Sequence, residues 1–288
     1  MNTIGENKLW SFYTTQEDAK DITTPTKVRK AKGHLVESFM DLATKVAELQ
    51  FRNPDFVLMF RGQNRDHRNS KENTTIKPSL FRPTPGSSDL PAMGTLQQRY
   101  KKLERAEQLL VTQYRQANLL GKERLQRHRM LRWAILQHYE VCDTPLLDVT
   151  HSLRIAASFA SMDAQTEAFI FVLGVPNLSG AITASAEGGL QIIRLASVCP
   201  PSAVRPHIQE GYLLGEYPDM VNYDQKELYG HYEIDFGRRL IAKFRFSPAT
   251  FWREDVFPQV PRKALYPPSD NDPLRRIAKQ VMAAIVRP

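Results

Sequence analysis

Residues Gln137 to Ala160 read QHYEVCDTPLLDVTHSLRIAASFA, and the fold assignment turns on this stretch. An apolar helical run ends here, the chain breaks at Asp143-Thr144-Pro145, and Leu146-Leu147 makes a short apolar step. Asp148, Thr150, His151 and Ser152 follow within five positions, before a small-residue helix runs from Leu153 to Ala160. A buried connection carries few polar side chains, because each one left unpaired costs roughly 1–3 kcal/mol. The cluster therefore means dense helix capping or a site. Capping of the helix by Thr150 or Ser152 is the plainer reading. Asp148 needs more, since a carboxylate behind Leu146-Leu147 requires a partner. His138 is close enough in sequence to be that partner, and Asp148 would then fix its tautomer. His138 equally suits a core position at the end of an apolar helix face.

The residues upstream, about 95–140, read as two helices. Leu96, Tyr100, Leu103, Leu110, Tyr114 and Ala117 share one face of the first, with Arg99, Lys101, Lys102, Arg105 and Arg115 on the other. The second runs from Arg124 to Tyr139 and delivers the chain to the central stretch. Downstream, Phe169–Val175 and Gly188–Leu195 read as strands, and Cys199-Pro200-Pro201 ends the latter. Arg205 to Leu213 brings several polar groups to a Gly211-Tyr212 step. A strand over Arg239–Phe246, a helix start over Pro248–Asp255 and an amphipathic helix over Pro273–Val286 close the chain.

Nearer the N-terminus, Leu35, Phe39, Leu42, Val46 and Leu49 fall 4, 3, 4 and 3 apart, which makes one apolar helix face. Phe56–Phe60 is an apolar run fit for a buried strand, ending at Arg61-Gly62-Gln63. A charged residue at a strand's lip presents chemistry, and a following Gly lets backbone approach a ligand. The same pattern also describes a surface Arg before a turn. Residues 64–76 read as a mobile polar loop, Pro83 to Pro91 as a linker, and residues 1–32 as a flexible basic arm. Residues 33–288 then form a single domain. Helices mixed with separated strands, without regular β-α-β alternation, predict an α+β fold with a helical insertion over about 95–140 and a helical C-terminus.

With 288 residues, 42% apolar, the chain has enough material for a core. A net charge of +8 favours an acidic partner: a nucleic acid, an acidic protein face or a phosphate-bearing ligand. The longest apolar run, Ala168–Val175, falls short of the roughly 20 residues that a membrane helix needs. With no signal-like N-terminus, the expectation is a cytoplasmic protein without membrane contact. Cys142 and Cys199 stand far apart and read as two buried thiols in a reducing compartment. Asn73 and Asn177 match a glycosylation pattern by chance. No Gly-rich nucleotide loop, His-Glu metal motif, Cys/His cluster or serine nucleophile elbow is present, so no metal is expected.

Phe60-Arg61-Gly62-Gln63 and Lys77-Pro78-Ser79-Leu80-Phe81-Arg82 resemble the opening of the FRG domain family, named for its Phe-Arg-Gly motif. The central stretch is similar to the family's Q-H-y-G-x-x-T-x-L-L-D-w-T, followed by its a-l-y-F-A. Arg205, Gln209, Gly211 and Tyr212 resemble its R-x-x-x-Q-x-G-f. The likeness covers about residues 55–215. It departs at Glu140, where the family has Gly, and at Val149, where it has Trp.

The layout also resembles the ADP-ribosyltransferase superfamily: an Arg-Gly strand end, a Ser/Thr step into a helix ending in Phe-Ala, then a late Glu or Gln. That resemblance implies a split antiparallel or mixed sheet and an enzyme using NAD as substrate, with a protein or nucleic-acid acceptor. A toxin or phage-defence role is among its implications. By the same resemblance Arg61, Thr150 and Gln209 or Glu210 are catalytic. Arg61, Gly62, Gln63, His138, Asp148, Ser152 and Phe159 hold the nucleotide. A non-catalytic nucleotide-binding module and a nucleic-acid-binding protein are the alternatives. Against the latter, the aromatics sit at core spacing rather than interleaved with basic residues.

Overall fold

The computed structural model describes residues 8–12, 20–84, 90–177, 179–225, 234–253, 256–268 and 272–286, without the side chains of 20–22. Its N-terminal elements are β1 (Leu9–Phe12), β2 (Lys20–Thr23), α1 (Pro25–Lys30), β3 (His34–Leu35), α2 (Phe39–Arg52) and β4 (Val57–Gln63). Then come α3 (Met93–Gln116), α4 (Lys122–Arg127), α5 (Arg129–His138), β5 (Leu147–Thr150), α6 (Leu153–Ser161), β6 (Ala168–Val175), β7 (Ile182–Ser185) and β8 (Leu190–Arg194). The chain closes with α7 (Leu195–Val198), α8 (Val204–Ile208), β9 (Gly211–Glu216), β10 (Leu240–Phe246), α9 (Pro248–Phe251), α10 (Arg262–Leu265) and α11 (Pro273–Val286). The class is α+β, as expected. The chain forms two compact units, each assembled from three separate segments.

The first unit comprises Met1–Ile76, Val149–Asn177 and Asp235–Arg262. Its strands run β3-β10-β6-β4, with β3 parallel to β10 and the other pairs antiparallel. Every residue of β6 is buried, as its unbroken apolar run requires of a strand flanked on both sides. Each such side chain contributes roughly 1.5–3 kcal/mol on burial. Helix α6 packs on β4 and β6 through Ala156, Ala157 and Ala160, all fully buried. Strand β4 runs beyond its expected end, because Arg61, Gly62 and Gln63 pair with Phe171, Ile170 and Phe169. Helix α2 starts at Phe39 and leaves Leu35 exposed in β3, since Ser38 caps it by accepting the Asp41 N–H at 3.2 Å.

Two further expectations are corrected in this unit. The described part of the 1–32 arm forms β1, β2 and α1, and Ser11 Oγ donates to the Ile241 carbonyl at 2.5 Å. The polar stretch 64–76 is tied down from within. Fully buried Lys243 donates to Asp66 Oδ2 at 2.7 Å and to Thr74 Oγ1 at 2.8 Å, while Arg68 pairs with Asp66.

The second unit comprises Lys77–Asp148, Leu178–Ile234 and Lys263–Pro288. Helix α3 packs against α4, α5 and α11, and β7, β8 and β9 form an antiparallel meander. Leu96, Tyr100, Leu103, Leu110, Tyr114, Trp133 and Val281 belong to its core. The helix expected over Arg124–Tyr139 is divided at His128 into α4 and α5. Glu107 on α3 is buried and accepts hydrogen bonds from Trp133 Nε1 at 2.7 Å and Arg132 Nε at 2.8 Å on α5. Strand β7 falls outside the expected strands.

Of the two thiols, Cys199 is buried and Cys142 only partly so; both are free. Residues 85–89 of the linker, Glu254 and Asp255 of the expected helix, and Leu178 beside Asn177 lie outside the described residues. Among the described residues, no helix is long and apolar enough to cross a membrane.

Candidate functional site

In the first unit, the end of β4 and the β5–α6 step come together. Phe60 pairs with Thr150, so Arg61 follows directly on the residue opposite Thr150. Side chains alternate along a strand, which places Arg61 and Gln63 on one face and Gly62 on the other. Gly62 meets α6: a Cβ built there would lie 1.8 Å from the Ala156 carbonyl oxygen. The close approach that this glycine allows is to a helix of its own unit.

Gln63 Oε1 is buried and has no hydrogen-bond partner among the described residues. Thr150 is buried, and its Oγ1 accepts the Ser152 N–H at 3.0 Å. Ser152 caps α6 by accepting the Ile155 N–H at 3.5 Å. Phe159 is partly exposed on the same helix, and His151 is exposed.

In the second unit, His138 ends α5 and is 3% exposed. Its Nδ1 lies 3.5 Å from Asp148 Oδ1, and its Nε2 has no hydrogen-bond partner among the described residues. Burial pushes the imidazole below its ordinary value; Asp148 pulls the other way, and Arg205 adds to the lowering. The core reading and the paired reading of His138 thus both hold. A Cβ at Gly211 would stand 3.2 Å from His138 Cε1, so the glycine makes room for the ring. Asp148 Oδ2 accepts from Gln137 Nε2 at 2.8 Å.

Glu140 adopts a left-handed backbone, φ 56°, at the position where the FRG pattern carries Gly. Its carboxylate takes Arg205 at 2.6 Å, and the Arg205 guanidinium lies over the Tyr266 ring at 4.6 Å. Gln209 is buried at the C-cap of α8 and donates to the Leu265 carbonyl at 2.7 Å. Glu210 is exposed in a left-handed turn, φ 46°.

The residues singled out from sequence are therefore shared between the units. Arg61, Gly62, Gln63, Thr150, Ser152 and Phe159 belong to the first, and His138, Asp148, Gln209 and Glu210 to the second. Gln137, Ser79 and Thr144 were not singled out as site residues, although they form a connected network that reaches Asp148 through Gln137. Their signal was present, since each falls inside a stretch that carries the FRG resemblance.

A strand ending in Arg61-Gly62-Gln63, paired beside Thr150 and the Ser152-capped entry into a small-residue helix, defines the class: an α+β protein with polar groups displayed at element ends. Residues 57–168 match the family model of the FRG domain. The match takes in Arg61 through Phe159 and stops before Arg205, Gln209 and Glu210. No curated protein and no solved structure matches the chain.

Proposed function

We propose that this chain is an NAD-dependent ADP-ribosyltransferase-like enzyme acting on a protein or nucleic-acid acceptor. The observation that carries the reading lies within the first unit, where the Arg61-Gly62 strand end sits beside the Thr150–Ala160 step through the Phe60–Thr150 pair. That is the order the superfamily layout requires of its first two parts. Arg61 suits a phosphate, which guanidinium binds through paired N–H groups. Gln63 Oε1, buried without a partner among the described residues, suits a ligand N–H. Gly62 would contribute through its backbone, since the Ala156 carbonyl fills the place of its side chain.

A second reading is a nucleotide-binding module without turnover. Gln209, one of the two candidates for the late catalytic position, already donates its amide to the Leu265 carbonyl. That bond favours a structural role for this side chain and leaves the late position to the exposed Glu210.

The test is incubation of the purified chain with labelled NAD, alone and with cell lysate or RNA, scoring nicotinamide release and label transfer. Release and transfer that vanish in Arg61→Ala, with circular dichroism and melting temperature unchanged, support the enzyme. Saturable NAD binding by calorimetry without release establishes the module instead. Neither signal, or activity intact in Arg61→Ala, overturns the assignment of the site.

A further inference from the structure

The network around Asp148 in the second unit has a property that its individual hydrogen bonds do not. Gln137 carries a carboxamide, which can point either way, so its donor and acceptor ends must be fixed by their surroundings. Thr144 Oγ1 lies 2.7 Å and Ser79 Oγ 3.2 Å from Gln137 Oε1. Each hydroxyl has one proton, and each hydroxyl oxygen already accepts a backbone N–H: Leu146 at 3.2 Å for Thr144, and Thr144 at 3.1 Å for Ser79. Both hydroxyls keep their proton to donate to Oε1. A flipped amide would also set its oxygen 2.8 Å from Asp148 Oδ2, oxygen against carboxylate oxygen. Only one orientation survives, with Nε2 donating to Oδ2.

The carboxylate is held in turn. With Oδ2 taken by Gln137, it is Oδ1 that lies 3.5 Å from His138 Nδ1. An ordinary neutral imidazole carries its proton on either nitrogen, and a carboxylate at one of them selects the tautomer. Nδ1–H then faces Asp148, and Nε2 keeps a lone pair in a buried setting. The side chain of Asp148 is 35% exposed, so the polar chain ends on a group that a ligand can reach.

We propose that Gln137 is the positioning residue of the His138–Asp148 pair, and that Ser79 and Thr144 set the polarity of its amide. The inference rests on the NAD-handling reading for its effect on activity, but not for its geometry.

The test uses the full chain labelled with 15N-histidine, with the His138 signals assigned by their loss in His138→Gln. Nitrogen shifts report the tautomer directly, which a purely structural role of Gln137 would not move. Wild type and Thr144→Ser, which keeps the hydroxyl, are expected to show the Nδ1–H form alone. Thr144→Val and Gln137→Met, which keep the shape and remove the hydrogen bonds, are expected to show mixed tautomers. NAD turnover or affinity should fall about tenfold in these two variants, the equivalent of one hydrogen bond, and recover in Thr144→Ser. A pure Nδ1–H signal in Gln137→Met overturns the proposal, as does a mixed tautomer with unaltered NAD handling. Wild-type protein inert toward NAD would sink the enzymatic reading by itself, while the tautomer comparison still decides the role of Gln137.

Discussion

Glu140 shows how one side chain can offset a backbone conformation that disfavours it. A left-handed φ costs an ordinary residue roughly 1 kcal/mol relative to Gly. The ion pair with Arg205 acts against that cost, although Glu140 is 62% exposed on its side chain and the pair is correspondingly weak. Glu140→Gly should therefore change stability little, strain relieved balancing a pair lost. Glu140→Ala, which keeps the strain and removes the pair, should destabilise by up to about 1 kcal/mol. Urea denaturation of the two variants measures the difference, and equal losses in both would show the backbone argument wrong.

His138 makes a second prediction at this scale. Its folded-state value lies below its ordinary 6.5, so the unfolded chain binds the proton more readily. Stability from this group is fully present above pH 6.5 and is lost as pH falls below it. Melts between pH 7.5 and about 5 should show a drop in wild type that is shallower in His138→Gln; a drop of equal size in both would remove His138 as its source.

At the scale of elements, burial and charge cooperate in joining helices. The polar side of α3 reads as a solvated face, yet Glu107 is 5% exposed and receives three donors from α5, with Arg129 adding a bond at 3.3 Å to those of Arg132 and Trp133. A buried carboxylate left with its cations unmatched is costly. Glu107→Gln should lower stability by about 3 kcal/mol, measured by chemical denaturation, and a loss below about 0.5 kcal/mol would mean that the pairs are only incidental. Elements recognisable from periodicity were the amphipathic helices and the continuous apolar strand β6. Strand β7, Ile182–Ser185, carries no comparable pattern, because only its pairing with β8 defines it. The length of β4 is likewise set by its partner: nothing in Arg61-Gly62-Gln63 reads as strand until Phe169–Phe171 lie alongside.

For the whole molecule, the interleaving of three segments in each unit has a direct consequence. The FRG match ends at residue 168, the first residue of β6. All of the pairs from Val57↔Val175 to Gln63↔Phe169 therefore reach past its end. A polypeptide of residues 57–168 alone should be unfolded by circular dichroism and amide exchange, whereas the full chain should fold. A cooperative melt from the short polypeptide would contradict this. The division into two units was not legible for the same reason: contact between distant segments leaves no mark in composition or periodicity.

By itself the sequence determined the α+β class, the main helices and the likeness to the FRG domain over its central part, because these depend on local periodicity and on residue order. It also marked Arg61, His138, Asp148 and Thr150 as polar groups set among apolar ones. Only the tertiary structure decided which atoms they face. Gly62 lies against the Ala156 carbonyl, Gln209 donates to the Leu265 carbonyl, and Gln137 directs Asp148. Each of these follows from ångström-scale approach between elements apart in the chain or separated by a turn. A hydrogen bond is fixed by distance and direction, and neither is encoded in the spacing of residues along the sequence.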